Sequence, residues 1–355
     1  MLVEGAILDR DGPRRASVRI TSGRVAEVGQ PGTLRARREE RRIRGIVVPS
    51  PVNSHTHLGD AVSTREPPSG PVDQLVVSPD GYKFRLLATS PRKEKILAIR
   101  AALRRMRRDG TAAVIDFREE GVEGVRLLRT ATRGSGIRTL ILGRPLARPV
   151  DPDELEELLA LADGVGLSSA RDESAATRRI IAEACRRNGK RFALHASEAV
   201  REPPDSYLTP RPDLLIHLAQ ATRDDLRAVA EAKVAVTVCP RSNALFGRQP
   251  DLQGMEAAGV RMMLGTDNAM FHAPSIWREL EFSYIATRLR GRPVSAAFLA
   301  RSALVEPYRW LGEPEAATIA PDSPAVPLVL RLPADDPAYQ VVTRVTEHLI
   351  VRPER

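Results

Sequence analysis

The stretch Pro51-Val-Asn-Ser-His55-Thr-His57 spaces two histidines so that, in an extended chain, both imidazoles leave the same face. Such a pair can converge on one metal ion, although a core or surface pair is spelled the same way. Three more residues of ligand type close apolar runs: His195 after Arg191-Phe-Ala-Leu, His217 after Leu214-Leu-Ile, and Asp267 after Met262-Met-Leu-Gly-Thr. One histidine so placed is more often a satisfied core residue. Four of the chain's six histidines at such places are poorly explained that way, whereas His272 and His348 lack the setting and read as structural. Three neutral imidazoles with one carboxylate suit zinc or another divalent transition metal and leave room for water. An ion there lowers the pKa of its water to about 7, so hydroxide is at hand at neutral pH. Glu198, three residues beyond His195, is near enough to share the pocket and suits a proton shuttle. Its other reading is a carboxylate in the first turn of a helix.

These residues need elements that bring distant positions to one rim. Between 45 and 267, short runs rich in Val, Ile and Leu alternate with stretches of helical periodicity, the mark of βα units and a parallel sheet. Eight runs are counted: 45–52, 112–117, 138–143, 164–168, 191–195, 214–217, 234–239 and 260–266. Helices are expected over 93–108, 121–132, 153–162, 173–188 and 223–231. Eight strands with helical returns predict an α/β fold closed as a (β/α)8 TIM barrel, whose chemistry sits at the C-terminal ends of its strands. The histidine and aspartate positions are such ends.

The first forty residues alternate in short segments (6–8, 16–20, 24–28) broken by Asp-Gly and Ser-Gly turns, and the tail repeats that character at 326–332 and 340–345. The expected organisation is a small accessory β domain from 1–44 and 318–355, beside a barrel over 45–317. Residues 59–91, rich in Pro, Gly and Ser, make a long connection after the first barrel strand and are expected to act as a substrate lid.

Composition narrows the classes. At 355 residues, 42% hydrophobic and 28% charged, the chain has material for a sizeable core and is not a disordered one. Its beginning shows no leader pattern and no later segment approaches a membrane span, so a cytoplasmic protein without a membrane partner is expected. Cys185 and Cys239 are too few for a disulfide framework and read as reduced packing residues. Net charge is +9, and five of the 54 basic residues are lysines, so 49 are arginines. They are scattered through expected helices, as at Arg104, Arg105, Arg107 and Arg108, and with 4% aromatics they do not make a nucleic-acid surface.

The quoted elements, together with Cys239-Pro-Arg-Ser-Asn243 and Gly265-Thr-Asp267, resemble the amidohydrolase superfamily over essentially the whole chain. The His195-x-x-Glu198 element beside Cys239-Pro-x-Ser-Asn243 is similar to its mononuclear branch of deaminases and chlorohydrolases. The resemblance implies one zinc, or Fe(II), on His55, His57, His195 and Asp267. It also implies that His217 orients and activates the bound water, that Glu198 protonates a ring nitrogen, and that Asp267 accepts the water's proton. Binuclear members carry a carboxylated lysine at the end of the fourth strand. This chain reads Gly164-Val-Gly-Leu-Ser168 there, while Lys190 and Lys233 precede the fifth and seventh strands, at the opposite face.

The activity so implied is hydrolytic deamination of a small aminated N-heterocycle, a purine, pyrimidine or related ring. Cyclic-amide hydrolysis and chlorohydrolase-type removal of another substituent are alternatives within the superfamily. A non-catalytic barrel that binds an anionic partner is the alternative of another class. Asp60, Arg144, Asn243 and Asn268, near strand mouths, are candidate substrate contacts and equally candidate structural groups. The Gly59-Asp60-Ala61 that follows the histidine pair departs from known nucleoside deaminases and leaves substrate identity open. Association into a homo-oligomer is common among barrels of this resemblance.

Overall fold

The computed structural model describes residues 1–351 other than 64, 78, 79 and 172, and the backbone alone at 73. Two compact units divide the chain. One comprises Met1–Val52, Arg107–Ala112 and Ser275–Arg355. Its sheet begins with β1 (Leu2–Asp9), β2 (Gly12–Thr21), β3 (Arg24–Gly29) and β4 (Arg42–Pro49), and the tail adds Pro327–Leu330 and Ile350–Val351. β1 and β2 are an antiparallel hairpin closed at Asp9 and Gly12, while β1 runs parallel to β4, which pairs antiparallel with Pro327–Leu330. Both chain ends therefore share one sheet, as the alternation at the two ends predicts. Val3, Ile7, Val18, Ile43, Val47, Ile319 and Val329 cluster as its apolar core.

Two expectations are corrected here. The run 45–52 is not one barrel strand: Gly45 to Pro49 lies in β4, and the barrel strand starts afresh at Val52. Pro49 and Pro51 lack the N–H that a continuous ladder needs, so a single apolar run serves two sheets. Residues 340–345 are not a strand but part of the helix Pro337–Arg344. Asp336 caps it by accepting from Tyr339 N, Pro337 takes the first turn, and the buried Ala338, Val341 and Val342 recur at helical spacing. The Asp-Pro start signal outweighs the local β preference of the valines.

The other unit comprises Asn53–Met106 and Ala113–Pro274. Its strands are β5 (Val52–His57), β6 (Ala113–Arg118), β7 (Arg138–Gly143), β8 (Gly164–Leu167), β9 (Arg191–Ala196), β10 (Leu214–His217), β11 (Ala235–Val238), β12 (Met262–Leu264) and β13 (Asp267–Asn268). From β6 round to β12 each strand is parallel to the next, and β13 is parallel to β5. β12 and β13 are one passage of chain interrupted at Gly265-Thr266; its first half pairs with β11 and its second with β5, which closes the ring. The fold is a (β/α)8 barrel. β6, β8, β10 and β11 are buried at every position, the two-sided burial that makes parallel strands read as unbroken apolar runs.

The connection after β5 carries a 3-10 turn (Leu58–Val62), α1 (Val72–Val76) and α2 (Tyr82–Thr89). Residues 64, 78 and 79 of it lie outside the described residues. The chain then forms α3 (Arg92–Arg108), α4 (Gly121–Thr132), α5 (Pro152–Leu161), α6 (Ala175–Arg187), α7 (Pro204–Leu208), α8 (Arg223–Glu231) and α9 (Pro240–Leu245). Local chemistry sets their starts: Asp151 before Pro152, Ser174, and a capping box of Thr222 with Asp225. Among the described residues no helix is long and apolar enough to cross a membrane. Cys185 and Cys239 are buried and not joined in a disulfide, and burial pushes the Cys185 thiol up to about 12, as befits a packing residue.

Candidate active site

Five side chains from three strand ends, those of β5, β9 and β10, and from the closing strand β13 meet in the barrel mouth. His55, His217 and Asp267 are each no more than 2% exposed, and His57 and His195 are 8% and 7% exposed. His55 Nε2 and His57 Nε2 each lie 3.4 Å from Asp267 Oδ1. Two triads of donor atoms close enough to share an ion overlap here, His55–His57–Asp267 and His55–His195–His217.

The outer ring nitrogens decide which inner ones are available. His195 Nδ1 lies 2.8 Å from Leu167 O, and His57 Nδ1 lies 3.0 Å from Phe117 O. A carbonyl only accepts, so both Nδ1 atoms carry the proton and both Nε2 atoms present lone pairs. Among the described residues neither nitrogen of the buried His55 ring has a hydrogen-bond partner. An orphaned lone pair beside a carboxylate and two more imidazoles is what a divalent ion would satisfy. Burial lowers His55 to about 3 and lowers His195 well below its usual value, which keeps both neutral as ligands must be. Asp267 lies well below the usual carboxylate range although burial opposes its ionisation, so it is the anionic member of the cluster.

The strand ends are bent to make this possible. His217 and Asp267 have φ of +74° and +61°, a region that side chains rarely adopt and that functional sites tolerate. Gly265 lets β12 pass β5 closely: a Cβ there would lie 2.6 Å from His55 Cβ and 2.7 Å from its N. Asn53 fixes the same crossing, accepting from Thr266 N and donating to Thr266 Oγ1 at 2.8 Å. Ser242 Oγ donates to Asp267 Oδ2 at 2.5 Å and Asn268 Nδ2 to Oδ1 at 2.9 Å, so both carboxylate oxygens are held.

A cavity of about 380 Å³ opens above these groups, within the size range of small-molecule sites. His57, His195, His217, Asp267 and Glu198 line it, with Val72, Val76 and Phe84 from α1 and α2. The long connection thus builds a wall of the cavity. Glu198 Oε1 faces His217 Nε2 at 3.6 Å. Residues 197–200 form bends and the next helix, α7, starts at Pro204, so the reading of Glu198 as a helix-start carboxylate is not met. His272 lies outside this group and His348 sits in the tail turn Glu347–Leu349 of the other unit.

Of the four candidate contacts, Arg144 and Asn268 line the cavity, and the Arg144 guanidinium stands 4.9 Å over the Phe84 ring. Asn243 and Asp60 are not among the lining residues. Asn243 Nδ2 lies 3.2 Å from His217 Nδ1, which places it behind the imidazole. Asp60 Oδ1 accepts from Met270 N, and burial pushes its carboxyl up to about 7.

Three residues escaped the reading of the sequence. Ser242 lies inside a quoted motif but its bond to Asp267 has no local signature. Glu119 directly follows β6, and the strand-end rule applied to that strand would have found it. Lys83, on α2, had no signal at all, yet it lines the cavity and pairs with Glu119.

Residues 46–325 match the Amidohydrolase family. A protein of Methanothermobacter thermautotrophicus named "Putative aminohydrolase" is 35% identical over 262 residues, 68% of each chain. The zinc-bound crystal structure of an adenosine deaminase from Xanthomonas campestris is similar with TM-score 0.77 at 18% identity, covering 98% of this chain and 90% of that one. The zinc complex of the atrazine chlorohydrolase from Arthrobacter aurescens TC1 gives 0.78 at 16%, covering 100% and 92%. At those identities the structural likeness speaks for the fold.

Proposed function

The chain belongs to the amidohydrolase family and is a hydrolytic enzyme, and on that premise we propose that it deaminates a small aminated N-heterocycle by hydrolysis. His55, His57, His195 and Asp267 would hold one divalent metal ion, zinc first and Fe(II) as the alternative. The ion, when bound, supplies a water activated at neutral pH.

The observation that carries the reading is the facing of Glu198 and His217 across the cavity floor, 3.6 Å apart, beside the histidine and aspartate cluster. A deaminase has to move protons twice, from the attacking water and onto the ring and its departing amine. Asp267, held by Ser242 and Asn268, takes the water's proton. Glu198 carries one to the ring nitrogen beside the attacked carbon. His217, with Asn243 donating to its Nδ1, turns an Nε2–H into the cavity, where it orients the incoming oxygen and stabilises the charge that grows on it. Val72, Val76 and Phe84 offer an apolar wall to the flat ring, with Arg144 and Asn268 as polar contacts at its edge.

The test is ammonia release from aminated purines, pyrimidines, pterins and triazines by zinc-loaded protein beside Glu198→Gln. Release by the wild type, lost in the variant with zinc retained, supports the deaminase. Full activity in Glu198→Gln overturns the role of that residue. A new carboxylic acid or halide in place of ammonia transfers the same site to cyclic-amide hydrolysis or dehalogenation. Metal-independent, strongly salt-dependent capture of an anionic partner without turnover would instead mark a binding barrel.

A further inference from the structure

A buried ion pair stands behind the cluster. Lys83 and Glu119 are each 3% exposed at the side chain and are in direct contact. Glu119 Oε1 lies 2.7 Å from His57 Nδ1, the nitrogen turned away from Asp267. Arg118, fully buried, approaches the other carboxylate oxygen at 3.8 Å and is engaged by Glu120. The Glu119 side chain thus lies between the Lys83 ammonium and the His57 ring, with the Arg118 guanidinium beyond it.

Docking a helix does not require this. An apolar pair of similar volume would fix α2 at lower cost, because two charges taken out of water are repaid only by good geometry and further partners. The place of the pair is informative instead. A carboxylate on the far nitrogen of a metal-binding imidazole fixes the ring's orientation and tautomer and strengthens it as a donor. The next residue on α2, Phe84, lines the cavity and lies under Arg144.

We propose that Glu119 is a positioning residue for His57 and that Lys83, brought in by α2, holds Glu119 in place, so that one helix completes both the metal centre and the substrate wall. The inference rests on the reading of His57 as a metal ligand. Without Lys83 the carboxylate loses its principal counter-charge and swings from His57; without Glu119 the imidazole keeps only the Phe117 carbonyl. Each loss reaches the metal through the same ring.

Zinc affinity, read by competition with a chromophoric chelator, tests this without any substrate. Glu119→Gln and Lys83→Ala should each bind zinc about 10- to 100-fold more weakly than wild type. The double variant should be no weaker than the poorer single one, because both act through one contact. Propylammonium should restore affinity to Lys83→Ala, whose vacated space opens on the cavity, and leave Glu119→Gln unchanged. Melting of the metal-free proteins separates a structural role: a lowered Tm with wild-type zinc affinity overturns the proposal. Additive losses in the double variant, or rescue that Glu119→Gln shares, overturn it as well. Wild-type protein that binds no zinc overturns the metal reading itself and this inference with it.

Discussion

Replacing Asn243 with leucine isolates what His217 does. Asn243 is 1% exposed, and its Nδ2 can only donate, so the His217 nitrogen 3.2 Å away must accept and the ring's proton sits on Nε2. Leucine keeps the volume and deletes the donor, leaving a buried acceptor unpaired at about 1–3 kcal/mol. Without that partner the ring's proton is no longer directed to Nε2, and the donor to the reacting oxygen is lost whenever Nδ1 takes it instead. If the whole cost falls on the transition state, kcat drops about 5- to 150-fold, a decade per ~1.4 kcal/mol. Zinc affinity should stay within about twofold, because His217 Nε2 faces Glu198 and is not required by the set His55, His57, His195 and Asp267. The assays are steady-state ammonia release with the substrate found in the panel, chelator competition for zinc, and nitrogen-15 NMR of the ring, which reports the tautomer. Zinc affinity reduced tenfold or more with kcat per bound zinc intact would refute the reasoning. It would show that the overlapping triad His55–His195–His217 holds the metal instead.

Two further outcomes probe the frame around the site. Gly265→Ala would place a methyl 2.6 Å from His55 Cβ, so Tm should fall by the equivalent of about 1–3 kcal/mol and zinc affinity with it; a variant that melts and binds zinc like wild type would contradict the crossing described here. His272 is lowered from 6.5 to about 4, first by burial and then by Arg241. Between those values the unfolded chain binds a proton that the folded one refuses, so stability is complete above 6.5 and declines as pH falls towards 4. At about 1.4 kcal/mol per unit the decline amounts to about 3 kcal/mol. Metal-free His272→Asn should therefore lose less stability than wild type between pH 7 and 4.5, and parallel curves in urea titrations at the two pH values would sink the assignment.

Much of the scaffold is written locally. Periods of two and of three to four residues placed the strands and helices; the observed α4 and α8 span Gly121–Thr132 and Arg223–Glu231, the very ranges expected. Backbone pleat puts His55 and His57 on one face whatever the rest of the chain does, and strand ends marked by apolar runs gave His195, His217 and Asp267. Each of these is a consequence of hydrogen-bond geometry over a few residues, which is why the sequence alone carries it.

Local pattern did not decide how one run is shared between two sheets. The division of 45–52 depends on which partners wait on either side of Pro49 and Pro51: β1 and Pro327–Leu330 for β4, and β13 for β5. Nor could it tell lining from backing. Asn243 and Asn268 look alike in sequence, yet one stands behind His217 and the other lines the cavity, because the turn after a strand and the direction of the side chain depend on the closed ring. Lys83 and Glu119 are 36 positions apart on different elements and share no pattern that spacing could reveal. They meet because barrel closure brings α2 over the end of β6, and a charge pair formed by closure leaves its trace in the tertiary structure only.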